Sequence, residues 1–418
     1  MKKYIKNIVP VAALLLTMGT ATSCVGDLDV TPINPNIQTG LNIDGLFNKC
    51  YANFALAGNG GANGDCDIDG IDGGTSGFVR QTFNANELPT DEAICGWGDD
   101  GIAGFCYNSY NASNPMLIGL YARITTGIAY CNQYLAEAGD QDATKLAEIR
   151  FLRAYEYFSL MDGWGNIPFT LQPLTKPERY TRAQVYEWLE KELLEIEPSL
   201  SDAKAKKSTD AGYGRVDKAA CWLLLSRLYL NAEVYTGTPQ WEKAKSYAKK
   251  VMDSSYKLNT KSVNGWSAYQ MLFMGDNGET DAAYEGIFPL LQDGLKTTSW
   301  GTTLFLLAST YDQDMHANPN NPSATNGTDQ AWGGNRARPD LVKKFFPNGN
   351  VPNLESYATA EAAGDDRALF NGVNRSLDND DVATFKSGFG VAKFTNFKTD
   401  GSAGKDATFP DADFFLMR

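Results

Sequence analysis

The sequence contains a single histidine, His316, and none of its cysteines stand in CxxC spacing. Metal sites built on pairs of histidines are therefore excluded, and a zinc site of clustered Cys and His ligands is not indicated. A Ser-His-Asp triad would depend on that one imidazole, which lies in a segment rich in Pro and Asn. The sequence thus gives little support to metal-dependent or nucleophilic catalysis.

Basic residues are scarce relative to acidic ones, with 37 Lys and Arg against 50 Asp and Glu and a formal charge of −13. Proteins that bind nucleic acids cluster cations against the phosphates. We therefore expect no nucleic-acid partner.

The N-terminus has the layout of a bacterial lipoprotein signal peptide. A lysine-containing start precedes the apolar residues 8–18, a run shorter than the about 20 residues that cross a bilayer. Small residues then lead to Ala21-Thr-Ser-Cys24. We expect residues 1–23 to be removed and Cys24 to be lipidated. Residues 24–40 would form the lipidated tether, and a cleaved, soluble periplasmic protein is the alternative.

Helical spacing of apolar residues recurs along residues 41–255. It predicts helices over residues 41–57, 115–138, 142–161, 181–197, 215–234 and 239–254. Small and large residues alternate in the last two, as in a tetratricopeptide hairpin, which buries its faces only by stacking on its neighbours. We therefore predict a mostly α fold on a tetratricopeptide-like helical-repeat scaffold, with an ordinary helical bundle as the alternative.

Two long segments without helical spacing interrupt this pattern, residues 58–114 and residues 256–418. Long loops on a rigid scaffold are usually functional or disordered, and the many aromatic residues here argue against disorder. We expect both to be loop-rich insertions that form the ligand-binding face, the second as a loop-rich half of the protein.

An acidic stretch in the first insertion begins like an EF-hand loop, with Asp65, Asp67, Asp69 and Asp72 closely spaced. The twelfth position is Ser76 instead of the bidentate Glu, and no helix pattern flanks the loop. It is therefore not an EF-hand. A looser calcium site built from these four carboxylates is one hypothesis, and a solvated acidic loop is the alternative. The sequence requires no other cofactor.

Residues 150–168, RFLRAYEYFSLMDGWGNIP, form an aromatic helical pattern that ends in a Gly-Trp-Gly-Asn-x-Pro turn. This segment resembles the Arg-x-Leu-Arg-Ala-Tyr-x-Tyr-Phe signature of the SusD/RagB family of surface glycan-binding lipoproteins. Residues 73–80, 86–97 and 332–342 also resemble family segments. The resemblance implies a protein without catalytic activity that binds an oligosaccharide or polysaccharide and delivers it to a TonB-dependent, SusC-like transporter.

The resemblance also implies a location and a chain length. The protein would be lipid-anchored to the outer membrane and exposed at the cell surface. Residues 411–418 resemble a segment that leads into a further helix in the family. We therefore expect the chain to be truncated before a final helical repeat.

Exposed aromatic rings are the candidate ligand-binding groups, because flat rings stack on the C–H faces of sugars. The resemblance places the family's binding aromatics in the two insertions, and we select Trp97, Trp300, Tyr311 and Trp332. The candidate polar partners are Asp99, Asp100, Asn335 and Arg336. Each ring could instead pack a small loop core. The tryptophans in or beside helical patterns are expected in the core: Trp164, Trp188, Trp222 and Trp241.

Two other functions remain open. A helical-repeat scaffold could bind peptide or protein ligands at the cell surface. A glycosidase would need two carboxylates roughly 5 to 9 Å apart, and no motif singles out such a pair. We expect the protein not to be an enzyme.

Overall fold

A computed structural model describes the protein over residues 41–139 and 142–418. The predicted signal peptide, the lipidation site Cys24 and the tether lie outside the described residues. Residues 47–418 form one compact unit, and the account below concerns that unit. The proposed division of the chain at residue 255 stays a prediction.

Helices occupy every region where helical spacing predicts them. Their bounds are α1 Ile43–Ala52, α2 Phe78–Glu87, α3 Ile102–Cys106, α4 Pro115–Glu137, α5 Ala143–Trp164, α6 Arg182–Ile196, α7 Lys218–Leu230, α8 Ala232–Thr236, α9 Trp241–Met252, α10 Thr303–Ala308, α11 Pro339–Lys344 and α12 Ser356–Ala363. The first insertion was expected to lack helices and contains α2 and α3. Spacing did not reveal α2 because it buries polar as well as apolar side chains, among them Arg80, Gln81 and Asn84.

The strands are short and pair as antiparallel two-stranded ribbons. They are β1 Gly58–Asn59, β2 Asp65–Cys66, β3 Ala93–Cys95, β4 Ile167–Phe169, β5 Glu178–Tyr180, β6 Phe288–Leu290, β7 Asn335–Ala337, β8 Phe370–Asn371, β9 Gly390–Val391 and β10 Phe414–Met417. The pairs are β1–β2, β3–β7, β4–β5, β6–β10 and β8–β9. The β3–β7 pair joins the two insertions, and it positions the site described below. No helix among the described residues is long and apolar enough to cross a membrane.

Local sequence signals set the helix ends. Pro115 opens α4, and the Asn114 side chain accepts hydrogen bonds from two backbone N–H groups of its first turn. Thr181 and Gln184 form a capping box at the start of α6. Gly165 follows the last residue of α5 and terminates the helix, with a φ of 73° that is accessible to glycine at little cost. We predicted that this helix ends at Met161, and it continues for about one more turn.

Helices α7 and α9 pack as the predicted hairpin. The Ser226 hydroxyl donates a 2.9 Å hydrogen bond to the Ala244 carbonyl, and the rings of Tyr229 and Tyr247 lie 5.6 Å apart. One expectation for this hairpin was wrong, because Trp241 is 59% exposed instead of lying in the core. Helix α9 buries only Ala244, so most of its surface, including the tryptophan at its first position, faces solvent.

Helices α5 and α6 are joined by a partly buried ion cluster. The Arg150 guanidinium donates to Glu192 Oε2 at 2.7 Å, and Arg153 donates to Glu192 Oε1 at 3.0 Å. Burial alone would raise the pKa of Glu192, but the hydrogen bonds and charges of the two arginines outweigh it and lower that pKa. The arginines of the Arg-x-Leu-Arg signature therefore fix the angle between two helices of the scaffold.

A second buried arginine, Arg123 of α4, holds the first insertion against the scaffold. Its guanidinium donates to the Ser76 carbonyl at 3.0 Å and to the Ser76 hydroxyl at 2.8 Å. It also donates to the Ala57 carbonyl at 2.9 Å, to Asn53 Oδ1 at 3.2 Å and to Asp67 Oδ2 at 3.4 Å. A side chain with no exposed surface is thus satisfied by groups from both ends of one loop.

The carboxyl group of Glu156 in α5 is fully buried near Arg123. Its Oε1 accepts a 2.7 Å hydrogen bond from the Asn53 amide, and its Oε2 has no hydrogen-bond partner among the described residues. Gly127 of α4 leaves the room for it, since a Cβ there would lie 2.0 Å from Oε1. Burial first, and the nearby Cys131 thiol second, raise the pKa of Glu156 well above its ordinary value.

We predict that Glu156 makes the free energy of unfolding depend on pH. The unfolded chain releases this proton near the ordinary pKa of 4.5, whereas the folded chain retains it to higher pH. The contribution of Glu156 to stability should therefore fall as pH rises from that value to the folded pKa, and stay constant above it. Glu156→Gln keeps the acceptor for Asn53 and removes the titration.

Urea unfolding of both proteins at pH 5 and pH 8 measures this effect. We expect the variant to gain stability relative to the native protein as the pH rises. An equal difference between the two proteins at both pH values would contradict the assignment, and other titrating groups cancel in that comparison because they are common to both.

Candidate functional site

The β3–β7 ribbon brings the two insertions together at one surface. Ala93 pairs with Ala337 and Cys95 with Asn335, and the Gly96 N–H extends the ladder by donating to the Gly334 carbonyl at 3.1 Å. In an antiparallel pair, residues that follow one strand lie beside residues that precede the other. Segments more than two hundred residues apart in sequence therefore place their tryptophans at the same end of the ribbon.

Three indole rings lie next to one another there, and we call them the aromatic arc: Trp97, Trp332 and Trp300. The rings of Trp97 and Trp332 lie 6.2 Å apart with their planes 50° from parallel. The rings of Trp332 and Trp300 lie 6.2 Å apart at 36°. All three are half-buried. They line a surface cavity of about 420 Å³ together with Asp72, Arg80 and Asp99.

Contacts behind the rings hold each of them in place. A Cβ at Gly334 would lie 2.2 Å from Cε2 of Trp97, and one at Gly74 would lie 2.5 Å from Cβ of Trp300. The Trp332 indole donates a 2.8 Å hydrogen bond to Gln330 Oε1. Glycine therefore permits the backbone to lie against the Trp97 ring and against the Cβ of Trp300, and a hydrogen bond orients the third ring.

Arg80 of α2 lies at the floor of the cavity and is 8% exposed. Its guanidinium lies 5.5 Å from the ring centre of Trp97 and 5.2 Å from that of Phe305, within range of cation–π attraction. Burial lowers the pKa of Arg80, and the charges of Asp99 and Asp72 partly offset this. Its buried Nε has no hydrogen-bond partner within the described part of the chain, so the site holds a desolvated donor.

The predicted acidic residues divide between the cavity and its rim. Asp99 lines the cavity and is exposed, and the neighbouring Asp100 is exposed outside it. Asp72, predicted as a calcium ligand, lines the cavity instead, with Oδ1 accepting a 2.9 Å hydrogen bond from the Thr75 N–H. Asp72 and Arg80 were both missed as ligand-binding candidates. Asp72 directly precedes residues 73–80 and Arg80 ends them; this segment resembles the family, and that was the signal available for both residues.

Three predicted site residues lie in the protein core and not at the surface of the arc. Tyr311 is fully buried against Met315 and Ala317. The Asn335 amide donates to the Ser309 hydroxyl at 2.9 Å. The Arg336 guanidinium donates to backbone carbonyls, those of Ser387 at 2.8 Å, Gly334 at 3.1 Å and Val382 at 2.8 Å. These side chains position the loops around the arc because loops of this length need a core of their own.

The acidic stretch does not converge on one point. Asp67 forms ion pairs with Lys49 at 2.9 Å and with Arg123 at 3.4 Å, while Asp65 and Asp69 are exposed. Within residues 41–139 and 142–418, no group of three or more His, Cys, Asp or Glu side chains is arranged to hold a metal ion. The calcium hypothesis therefore has no support from the geometry of these four residues.

A larger cavity, of about 520 Å³, lies elsewhere in the unit and has a different character. Most of its lining is apolar, with Phe78, Leu341 and Phe394 among the side chains, and the predicted site residues Asn335 and Arg336 contribute to its wall. Sugar sites combine flat rings with convergent polar groups. We therefore assign the candidate site to the aromatic arc on its chemistry, although the other cavity is larger.

Comparison with known proteins places the chain in a family. A SusD-like family model, described as starch-binding and associating with the outer membrane, matches residues 91–230. The chain is 37% identical over 456 aligned positions to the starch-binding protein SusD of Bacteroides thetaiotaomicron, with 100% of this chain and 79% of that protein covered. The chain belongs to the SusD family.

Solved structures of SusD-like proteins share the fold. A laminarin-binding SusD-like protein matches with a TM-score of 0.59 and 17% identity, covering 91% of this chain and 78% of that one. Surface glycan-binding protein A of Bacteroides thetaiotaomicron, in complex with laminarihexaose, matches with a TM-score of 0.57 and 17% identity over 90% and 75% of the two chains. For a SusD-like protein of Bacteroides fragilis (TM-score 0.50, 18% identity), the match covers 72% of this chain and 51%, about half, of that protein. The predicted mostly α, tetratricopeptide-like fold is confirmed.

We predict that Gly334→Ala disorders one end of the aromatic arc. The added methyl group would overlap the Trp97 indole, at 2.2 Å from Cε2. The ring must therefore leave its position. We expect an altered near-ultraviolet circular dichroism spectrum and a destabilisation of about 1 to 3 kcal/mol. Gly98→Ala is the matched control, because a Cβ there meets nothing within 4 Å. Equal behaviour of the two variants would contradict the contact.

Proposed function

We propose that this SusD-family protein binds an α-glucan, as an oligosaccharide or as part of a polysaccharide, on the aromatic arc. The observation that supports this is the arrangement of the three half-exposed indoles, whose planes turn by 50° and 36° from one ring to the next. Each ring can stack on the C–H face of a sugar. A binding surface for several consecutive sugar units follows.

The curvature of the arc favours a coiled glycan. The successive sugar units of an α-1,4-linked glucan turn around a helix, whereas those of a β-1,4-linked glucan form a flat ribbon. A flat ribbon would stack best on coplanar rings, and these rings are not coplanar. The relative at 37% identity is named as starch-binding, which supports the same choice.

Charged groups beside the rings would form hydrogen bonds with the hydroxyl groups of the sugar. The Arg80 guanidinium can donate hydrogen bonds from the cavity floor, and the Asp72 and Asp99 carboxylates can accept them at the rim. Hydrogen bonds that include an ionised partner are stronger than neutral ones. Stacking would supply the contact area, and these three side chains would select the orientation of the sugar.

We further propose that the protein captures its ligand without cleaving it. Asp72 and Asp99 are both exposed to solvent, whereas the general acid of a glycosidase is kept protonated by an apolar pocket. The relatives described above are named as binding proteins. These observations support a non-enzymatic role.

The cellular role we propose follows from the family. Lipidation at Cys24 would anchor the protein to the outer membrane at the cell surface, and the family description includes association with that membrane. The bound glycan would then pass to a TonB-dependent, SusC-like transporter. Binding by a shallow site is reversible, which suits a protein that must release its ligand.

We predict that Trp332→Ala strongly weakens the binding of maltoheptaose. Trp332 is the middle ring and contacts both of the others, so its loss divides the surface in two. Isothermal titration calorimetry should show an affinity at least about tenfold weaker. Trp241→Ala, which removes an exposed tryptophan of the scaffold, is the matched control and should bind like the native protein.

The same titration, run against laminarin and a β-1,4-linked glucan, tests the choice of glycan. Tighter binding of the flat β-1,4 chain would contradict the argument from curvature. Release of reducing ends over time from the same samples would contradict the non-enzymatic role. If none of the glycans binds, the proposed function is rejected and the peptide-binding alternative is favoured.

A further inference from the structure

A third segment of the chain, residues 406–409, contacts two residues of the aromatic arc. Asp406 Oδ1 accepts hydrogen bonds from the N–H groups of Thr408 at 2.8 Å and of Phe409 at 2.9 Å. An aspartate that bonds the backbone two and three residues ahead fixes a tight turn. The described residues that line the cavity come from other segments. This segment, which we call the 406–409 turn, would therefore affect a ligand on the arc through the tryptophans that it contacts.

One contact of the turn is made with Trp300. The Phe409 ring lies 4.9 Å from that of Trp300 with the planes 64° apart, close to the edge-to-face arrangement that aromatic pairs prefer. Both rings are half-buried and pack against a core cluster that includes Leu304 and Leu307. Within the arc Trp300 meets Trp332. Phe409 is therefore a second ring that holds the plane of Trp300.

The other contact of the turn reaches Trp332 through a chain of hydrogen bonds. The Thr408 hydroxyl donates to Asp329 Oδ1 at 3.0 Å, and the Asp329 N–H donates to the Ala407 carbonyl at 2.7 Å. Gln330 Nε2 then donates to Asp329 Oδ1 at 2.8 Å. Gln330 Oε1 in turn accepts the 2.8 Å hydrogen bond from the Trp332 indole. Two side chains thus connect the turn to the middle ring of the arc.

Gln330 has the chemistry that the middle of this chain requires. An ionised carboxylate only accepts hydrogen bonds, and an indole N–H only donates them. The group between Asp329 and Trp332 must therefore donate on one side and accept on the other, as an amide does. A reversed amide would place its oxygen against the carboxylate and its N–H groups against the indole N–H. The two neighbours therefore fix the amide, and the amide orients the indole.

We propose that the 406–409 turn is a positioning element of the arc, which sets the angle between Trp332 and Trp300 without touching the ligand. The inference rests on the proposed function of the arc. One short turn is connected to both rings, so the 36° between their planes is fixed by contacts outside the cavity. A binding surface keeps its geometry only when such supporting contacts hold its side chains. Loss of either contact would let a ring rotate and weaken the binding of a coiled glucan.

Substitution of Phe409 tests the contact with Trp300. Phe409→Leu keeps an apolar side chain and removes the ring, and we expect isothermal titration to show about threefold to tenfold weaker binding of maltoheptaose. Phe409→Tyr retains the ring and should bind like the native protein. Trp300→Ala keeps two of the three rings of the arc. In that variant Phe409→Leu should have little further effect, because the ring that it supports is already absent.

Substitution of Gln330 tests the connection to Trp332. Gln330→Met has a similar length and removes both hydrogen bonds of the amide, and we expect about threefold weaker binding of maltoheptaose. Trp332→Phe keeps a ring for stacking and has no N–H to orient. Gln330→Met should therefore change the affinity of Trp332→Phe much less than that of the native protein.

Two results would overturn the inference and leave the proposed function standing. One is that the native protein binds maltoheptaose and that Phe409→Leu and Gln330→Met bind it equally well. The other is that Phe409→Leu causes the same loss with and without Trp300, which would mean that it acts on the fold and not on that ring.

A spectroscopic measurement separates failure of the inference from failure of the proposed function. If the native protein binds no glucan, the proposed function fails, and near-ultraviolet circular dichroism still tests the positioning of the rings. Phe409→Leu should then change the tryptophan signal of the native protein and leave that of Trp300→Ala unchanged. An unchanged signal in the native protein would reject the positioning role as well.

Discussion

The site depends on the pairing of β3 with β7, a ladder of only three residues on each strand. Two insertions separated by most of the helical scaffold meet through it, and neither carries a complete binding surface. Because the strands are short, their pairing needs reinforcement, which comes from side chains. Arg336 reaches three backbone carbonyls around β7, and Arg338 donates to the Ala93 carbonyl of β3 at 2.8 Å. Buried arginines thus replace the further strands that a larger sheet would supply.

The scaffold uses the same device. Arg123 satisfies five acceptors drawn from both ends of the loop that begins after α1, and that loop carries Asp72 to the rim of the site. Leaving the donors of a buried cation unoccupied costs free energy. The loop must therefore be closed for Arg123 to be satisfied, and the position of Asp72 follows from the fold of the scaffold. Ligand-binding loops of this kind are placed by polar contacts as much as by apolar packing.

Much of the scaffold could be predicted from the sequence, and part of the site could not. Helices α4 to α7 have strong apolar spacing and clear caps, so their bounds were predicted to within a few residues. Trp97, Trp300 and Trp332 were selected because they lie in insertions that resemble the family, and the structure brings their rings together. The residue types of Tyr311, Asn335 and Arg336 are those expected of binding residues. Only the three-dimensional packing shows that these side chains point inward. Asp72 and Arg80 were missed because their role arises from a contact between segments distant in sequence.

Arg80 lines the site, and its buried Nε, like those of Arg153, Arg182 and Arg375, has no hydrogen-bond acceptor among the described residues. Folding has already removed most of the hydration of this side chain, which is 8% exposed, so a sugar hydroxyl that contacts the guanidinium would replace little water. The proposed glucan ligand is uncharged, and the Arg80 guanidinium lies 5.5 Å from the ring centre of Trp97. Dissolved ions can screen such a contact only weakly. The affinity of the arc for such a ligand should therefore be nearly independent of ionic strength.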